Sequence, residues 1–199
     1  MLLNDLLKDY RIILASQSPR RKLLLKGLDI KFEVIVREDI SEDYPSNLKM
    51  NEIPVWLAKS KSDSYTDLLK DKTLVITADT IVWHKGKLLG KPADLYQAEK
   101  ILSTLSGSMH KVITGVCLRS AEKTHLFYSE SKVLFRKLTL EEINYYVARY
   151  KPLDKAGAYG IQEWIGYIGI EEIEGSFYNV MGLPVQMLYH ELIGFLQRD

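Results

Sequence analysis

The segment Ser16–Arg21, near the amino terminus, combines the residue types that bind phosphate. An apolar run precedes it, and Ser18 and Pro19 suit the N-cap and the first position of a helix. The unpaired N–H groups at a helix N-terminus attract anions, and the guanidinium groups of Arg20 and Arg21 strengthen that attraction. Because the helix dipole repels arginine there, the sequence favours a negative ligand, with phosphate the obvious candidate. A plain helix start with solvated arginines is the alternative.

A single aspartate, Asp79, directly follows the apolar run 74–78, which predicts a buried strand. Open α/β sheets place their chemistry at the carboxyl ends of such strands. Asp79 is therefore a candidate to bind a divalent metal, to activate water, or to do both, and a turn-forming aspartate is the alternative. Lys91, between Gly90 and Pro92, could reach a phosphate from a rigid turn, although a lone lysine is more often a solvated charge.

The segment 154–162 is rich in glycine and alanine, which let the backbone approach a flat or charged ligand closely. Gln162 ends this segment, and its amide could read the edge of a base. A flexible connecting loop is the alternative. We interpret His110 as structural, since a lone histidine at a strand start more often stabilises a turn, and 179–184 as a turn into the last helix. Phosphate-loop, dinucleotide, nucleophile-elbow and zinc-ligand motifs are missing.

Composition limits the class of protein. The 199 residues suffice for one domain, 1–199, in one or two lobes. Lysine and arginine number 27 against 26 acidic residues, with no long basic run, which argues against nucleic-acid binding. The single cysteine, Cys117, excludes an intrachain disulfide and is expected to be a buried small hydrophobe. We find no signal peptide and no membrane-spanning run, and therefore expect a cytoplasmic protein.

Strand-like and helix-like patterns alternate along the chain and predict an α/β protein with a mixed sheet. The predicted strands are 11–15, 32–36, 74–78, 111–119, 125–135 and 164–173, with a hairpin at 81–89. The predicted helices are 18–28, 54–69, one capped by Asp94, one that follows a Thr139–Glu142 capping box, and 187–196.

Together these motifs resemble the Maf family of nucleoside triphosphate pyrophosphatases. The matching segments, in the family's order, are 16–21, 78–80, 90–92, 106–107 with His110 and 114–115, 154–162 and 179–184. The resemblance implies an inosine-triphosphatase-like α/β fold. That fold has an elongated mixed sheet flanked by helices, and two lobes around a deep cleft.

The resemblance also implies metal-dependent hydrolysis between the α and β phosphates of a nucleotide. Asp79 matches the general base of the family, and Glu42 joins Asp79 as a ligand of a divalent cation, Mg²⁺ or Mn²⁺. Because the loop around Glu42 departs from the family's paired-acid pattern, Glu38 is the fallback. The implied substrate-binding residues are Ser16, Ser18, Arg20, Arg21, Lys61, Thr80, Lys91 and Gln162.

Arg20, Thr80 and Gln162 resemble the branch of the family that acts on dTTP and UTP, and modified pyrimidine nucleotides are further candidates. The branch acting on 7-methyl-GTP tends to carry other residues at these places. Two alternatives stay open: the same chemistry on a modified purine nucleotide, and a nucleotide-sensing regulator of cell division that acts through a partner. The family also suggests a homodimer, although the residues identify no interface.

Overall fold

The computed structural model describes residues 2–38 and 40–197. Within them the strands are β1 (Arg11–Leu14), β2 (Glu33–Val34), β3 (Thr73–His84), β4 (Lys87–Leu89), β5 (Met109–Arg119), β6 (Thr124–Phe135) and β7 (Ile170–Glu174). The helices are α1 (Leu3–Leu7), α2 (Pro19–Lys26), α3 (Glu52–Asp63), α4 (Leu95–Leu105), α5 (Leu140–Tyr150), α6 (Trp164–Gly169), α7 (Phe177–Met181) and α8 (Val185–Gln197).

The strands form one mixed sheet in the order β2-β1-β3-β5-β6-β7, with β4 paired to β3. β1 runs parallel to both neighbours and pairs with the first part of β3, from Arg11 opposite Thr73 to Leu14 opposite Ile76. β4 pairs antiparallel with the last part of β3, and β7 antiparallel with β6. The predicted mixed α/β architecture, with a sheet flanked by helices, is therefore confirmed.

The chain divides into two compact units. The first contains the chain up to Asp79, residues 114–129 and the chain from Gly182, and the second contains residues 80–113 and 130–181. Strands β3, β5 and β6 each contribute residues to both units. The single domain 1–199 and the deep cleft stay predictions.

In the first unit, a buried cluster of Ile13, Ala15, Tyr65 and Val75 lies beneath the segment that follows β2. The hydroxyl of Tyr65 accepts a hydrogen bond from the backbone N–H of Arg37 at 3.0 Å and lies 3.2 Å from the carbonyl oxygen of Ile35, to which it donates. These bonds hold residues 35–37, which precede the loop that contains Glu42, against Tyr65.

In the second unit, α4 and α5 contact each other, and each begins at the predicted cap. The Asp94 carboxylate accepts the N–H of Gln97 at 2.7 Å, and Thr139 and Glu142 form the reciprocal capping box. Such caps satisfy N–H groups that have no partner inside the helix. The rings of His110, Phe135 and Tyr159 pack against one another, with centroid distances of 5.0 to 5.4 Å.

Some predicted elements are wrong in type or length. The helix predicted over 54–69 ends at Asp63 and is followed by a 3-10 turn, Thr66–Leu68, because Tyr65 turns into the core and binds the segment after β2. The strand predicted over 164–173 begins as helix α6. There Gly166 packs so closely on Ile161 that an added Cβ would lie 2.1 Å from its carbonyl oxygen. The strand predicted over 32–36 is reduced to two residues, and the turn 179–184 begins inside α7.

No helix within residues 2–38 and 40–197 combines the length and the apolar character needed to cross a membrane.

Candidate active site

The segment 16–21, the candidate phosphate-binding segment, forms the predicted strand–loop–helix connection between β1 and α2. Ser18 is the N-cap of α2, and its hydroxyl accepts the N–H of Arg21 at 3.3 Å. The Ser16 hydroxyl accepts the N–H of Ser18 at 3.2 Å. Both serines therefore shape the backbone at the helix start, which is how a short segment holds N–H groups toward a ligand.

The Arg21 side chain folds back into the first unit. Its Nε donates a hydrogen bond to the carbonyl oxygen of Gly182 at 2.8 Å. Burial lowers the pKa of Arg21 from its ordinary value, while the negative charges of Asp79 and Glu42 act in the opposite direction. Even so, a guanidinium keeps its proton in proteins. Arg21 is thus a fixed positive charge that interacts electrostatically with the carboxylates of Asp79 and Glu42.

Lys61 joins those two carboxylates. Its Nζ lies 2.5 Å from Asp79 Oδ1 and 3.1 Å from Glu42 Oε1. The side chains of Lys61 and Asp79 are only 17% and 12% exposed, whereas that of Glu42 is 52% exposed. Of the two acidic residues that the sequence offered, Glu42 is the one that contacts Lys61, and Glu38 is exposed. The structure thus brings together Lys61, Asp79 and Glu42 from three separate parts of the chain.

Helix α3 carries Lys61, and two close contacts hold this helix against the sheet. The buried hydroxyl of Thr77 on β3 donates to the carbonyl oxygen of Ala58 at 2.6 Å. At Gly115 on β5, an added Cβ would lie 2.3 Å from the carbonyl carbon of Pro54. The backbone of α3 therefore approaches β5 as only a glycine allows.

The expected position of Asp79 at the end of a strand is wrong. Asp79 lies inside β3, which runs on to His84. β1 pairs with residues 73–76 of β3 and β4 with residues 82–84, so Asp79 falls between the two ladders. The apolar run ends close to the last residue of β3 that pairs with β1. Pairing with β4 then extends β3 to His84, and the local sequence gives no sign of that pairing.

Thr80, Lys91 and Gln162 belong to the second unit. Thr80 is partly buried on β3, and Lys91 is exposed just after β4. The N–H of Gly157 donates to the carbonyl oxygen of Gly90 at 3.2 Å, which connects the turn of Lys91 to the small-residue segment 154–162.

The segment 154–162 is not a flexible surface loop. A 3-10 turn, Ala156–Ala158, forms its centre, and the chain from Gly157 to Ile161 is buried. Gly157 has a φ of +72°, and an added Cβ there would lie 2.9 Å from Val82 Cγ2. Gln162, in contrast, is exposed and follows directly on the buried Ile161. The exposed Gln162 side chain therefore extends from a backbone segment that is itself buried.

Three residues near Gln162 escaped the sequence analysis. Lys155 is only 8% exposed, and its Nζ lies 3.0 Å from Glu163 Oε1. The hydroxyl of buried Tyr146 donates to the other oxygen of Glu163. A lysine inside a run of small residues was the available signal. One of its partners is the neighbouring Asp154, at 2.7 Å, but the contact with Glu163 depends on how the segment folds.

His110 and Asn179 agree with their structural interpretation. His110 Nε2 lies 2.8 Å from Tyr159 Oη, and burial lowers the pKa of His110 to about 3. The buried amide of Asn179 donates to the carbonyl oxygen of Val112 and to the hydroxyl of Ser131, each at 3.0 Å. Cys117 is fully buried, as predicted.

Asp79 and Glu42 are residues of the type that bind a divalent metal together with substrate phosphates. The described residues contain no group of three or more histidine, cysteine or acidic side chains that could hold a metal ion. Asp79 and Glu42 nevertheless share Lys61, so two carboxylates face one cationic group. Mg²⁺ commonly takes one or two carboxylates, with water and substrate phosphates completing its shell.

The chain is similar to known proteins over nearly its whole length. Residues 11–195 match the sequence model of the family described as Maf-like protein. The dTTP/UTP pyrophosphatase of Parabacteroides distasonis is 58% identical over 189 residues, which cover 95% of this chain and 98% of the relative. That of Porphyromonas gingivalis (strain W83) is 55% identical over 193 residues, 96% of this chain and 97% of the relative.

Among solved structures, the Ham1 protein of Staphylococcus aureus matches with a TM-score of 0.50 and 17% identity, and the match covers 93% of this chain and 99% of that one. At this identity the likeness shows the fold alone, and it agrees with the inosine-triphosphatase-like fold expected from the sequence. The family match and the two relatives extend over nearly the whole chain. This chain belongs to the Maf family.

Proposed function

We propose that the protein is a metal-dependent nucleoside triphosphate pyrophosphatase. It hydrolyses the α–β phosphoanhydride of dTTP and UTP to the monophosphate and pyrophosphate. The observation that carries the proposal is the contact of Lys61 with both Asp79 and Glu42. The name dTTP/UTP pyrophosphatase, which the similar relatives carry, supports this choice of substrate.

The positively charged side chains bind the triphosphate and offset its negative charge. Arg20, Arg21 and Lys61 lie in the first unit, and Lys91 belongs to the second. Together with the N-terminus of α2, they offset the charge of the phosphates and of the leaving pyrophosphate. The hydroxyl groups of Ser16, Ser18 and Thr80 are assigned to substrate binding through the family resemblance.

Asp79 is the general base. Asp79 and Glu42 would hold a divalent cation, which would supply positive charge that polarises the α-phosphate and lowers the pKa of water. Asp79 accepts a proton from the attacking water, whose oxygen forms a bond to the α-phosphorus. The bond between the α-phosphorus and the bridging oxygen breaks, and its electron pair leaves with pyrophosphate. Arg21 and Lys61 hold the charge of the phosphates during this exchange.

Gln162 recognises the base. Its amide has both a donor and an acceptor, which match the O4 and N3–H edge of uracil and thymine. Cytosine presents the opposite pattern at these positions, so Gln162 in a fixed orientation favours uracil and thymine over cytosine.

Product analysis tests the proposal. The purified protein is incubated with Mg²⁺ or Mn²⁺ and each common nucleoside triphosphate, plus 7-methyl-GTP, and the products are separated by anion exchange. We expect monophosphate and pyrophosphate from dTTP and UTP, and none after chelation of the metal. Diphosphate and inorganic phosphate would overturn the mechanism. Binding without turnover would favour the nucleotide-sensing regulator, and turnover of 7-methyl-GTP alone the purine alternative.

The family resemblance further supports a homodimer in the cytoplasm that binds neither nucleic acid nor membranes. The balanced charge of +1 supports the absence of nucleic-acid binding. Light scattering coupled to size-exclusion chromatography measures the oligomeric state directly.

A further inference from the structure

The hydroxyl of Tyr146 holds both ends of the turn that carries Gln162. It accepts the backbone N–H of Gly160 at 3.1 Å, and it donates to the carboxylate of Glu163. Tyr146 is fully buried on α5, so the hydroxyl is fixed in place by the packing of that helix. A single buried group thus binds the residues that begin and end the turn.

The turn itself is tight. The N–H of Glu163 donates to the carbonyl oxygen of Gly160 at 3.0 Å, which closes the four residues 160–163. The Glu163 carboxyl group packs on Gly160, where an added Cβ would lie 2.7 Å from Glu163 Cδ and would displace that group. Of the two central residues, Ile161 is buried and Gln162 is exposed. The two held ends therefore fix the backbone at Gln162, and with it the point from which the Gln162 side chain leaves the turn.

Lys155 holds Glu163 from the other side. Its Nζ lies 3.0 Å from Glu163 Oε1, and the Lys155 side chain is only 9% exposed. Lys155 Nζ also donates to Asp154 Oδ1 at 2.7 Å, so two carboxylates hold this buried ammonium group, and it in turn holds Glu163 at one point. Burial and the neighbouring Glu163 also raise the pKa of Tyr146, which therefore stays protonated and keeps donating.

We propose that Tyr146, Glu163 and Lys155 are positioning residues that orient Gln162 and thereby set the preference for uracil and thymine over cytosine. The inference rests on the proposed function and assigns the residues behind its base selectivity. An amide distinguishes the two base edges only when its donor and acceptor are presented in one orientation. A loosened turn lets the amide turn over and accept either edge.

A purely structural role predicts something different. If the three residues only stabilised the second unit, their removal would lower activity on every nucleotide by a common factor. A positioning role changes the ratio of kcat/KM for dTTP to that for dCTP, and it does so only while Gln162 is present.

The first experiment measures that ratio in the wild-type protein, in Tyr146→Phe and in the matched control Tyr150→Phe. Tyr150 lies on the same helix, and its ring stacks on Tyr146 with a centroid distance of 5.0 Å. We expect the ratio to fall about tenfold in Tyr146→Phe, mainly through a higher KM for dTTP, and to stay within about twofold in Tyr150→Phe. An unchanged ratio in a folded Tyr146→Phe protein would overturn the inference.

A second pair of variants decides the matter if Tyr146→Phe does not fold. Glu163→Ala removes the group that Tyr146 and Lys155 hold, whereas Glu163→Gln keeps an oxygen that can accept the hydroxyl. We expect Glu163→Ala to lower the ratio about tenfold and Glu163→Gln to recover most of it. Equal ratios in both variants and the wild type would overturn the inference.

A double-mutant cycle with Gln162→Ala completes the test. In that background we expect Tyr146→Phe or Glu163→Ala to change the ratio less than about twofold, because the positioned group is gone. An undiminished effect of Tyr146→Phe or Glu163→Ala in that background would overturn the inference.

A wild-type protein that does not cleave dTTP would overturn the proposed function, and this inference with it. Cleavage by the wild type with unchanged ratios in the variants would overturn this inference alone.

Discussion

At the candidate active site one ammonium group contacts two carboxylates. Lys61 Nζ lies within 3.1 Å of both Asp79 and Glu42, so it holds side chains from two distant parts of the chain at one point. Such a cation also opposes the mutual repulsion of the two carboxylates. The chemistry of the site is therefore set by a few charges that lie close together and partly out of water.

Replacing Asp79 by asparagine removes the proposed base and keeps an oxygen that can accept a hydrogen bond from Lys61. We expect the Asp79→Asn variant to fold normally and to lose about 100- to 10,000-fold in kcat for dTTP. The rate of pyrophosphate release at saturating metal and dTTP measures this loss of kcat.

The matched control is Asp67→Asn, which removes an exposed carboxylate that pairs with Arg37 in the same unit. Its turnover should stay within about twofold of the wild type, since exposed ion pairs contribute little. Near-normal turnover by Asp79→Asn would mean that Asp79 is not the base.

At the scale of elements, helix α3 is the part that must be placed correctly, because Lys61 lies in its last turn. Two features of the neighbouring strands place it: the Thr77 hydroxyl bond to Ala58 and the missing side chain at Gly115. Both act on the backbone of the helix. Packing at the helix start and middle thus determines the position of Lys61, which lies one or two turns away.

The Gly115→Ala variant should therefore be less stable and less active. The added methyl group meets the backbone at Pro54, which can move only if α3 moves, and such overpacking costs about 1–3 kcal/mol of unfolding free energy. Urea unfolding measures the loss of stability, and pyrophosphate release the loss of activity. Gly27→Ala is the control, because Gly27 follows α2 with an ordinary φ of −67°. An unchanged urea midpoint in Gly115→Ala would contradict the expected close packing.

At the scale of the whole molecule, stability should depend on pH through His110. Burial lowers its pKa to about 3, whereas a histidine in an unfolded chain titrates near its ordinary value of 6.5. Below pH 6.5 the unfolded chain therefore binds a proton that the folded protein does not bind. Stability falls as the pH falls toward 3, and it is independent of this group above about pH 7.5.

The slope from this one group reaches at most about 1.4 kcal/mol per pH unit. Unfolding free energies of the wild type and of His110→Gln, measured between pH 7 and 5, test it, since most carboxylates are still ionised there. We expect a shallower pH dependence in the variant. Parallel curves for the two proteins would show that His110 takes up its proton equally in both states.

Local patterns predicted local structure well. The caps at Ser18, Asp94 and Thr139 are confirmed, because each depends on residues within one helical turn. The two long strands β5 and β6 and the final helix are confirmed for the same kind of reason, since their apolar patterns extend over many residues.

The wrong predictions concern residues whose structure depends on contacts with other parts of the chain. Residues 164–169 carry a strand-like pattern, but the close contact of Gly166 with Ile161 fits a helix, and that contact lies outside the local pattern. Asp79 was placed at a strand end because the support from β4 for residues 82–84 cannot be read from the run 74–78. The choice between Glu42 and Glu38 likewise depended on where the loop meets Lys61.

The chain passes between the two units at 79–80, 113–114, 129–130 and 181–182, and the first three passages lie inside β3, β5 and β6. Domain boundaries more often fall in exposed linkers. Neither unit is therefore encoded by an uninterrupted stretch of the gene. Recombination at one junction cannot exchange the unit that contains Gln162 for that of another enzyme. Exchange of the whole second unit would need junctions at all four passages, three of them inside strands that both units share.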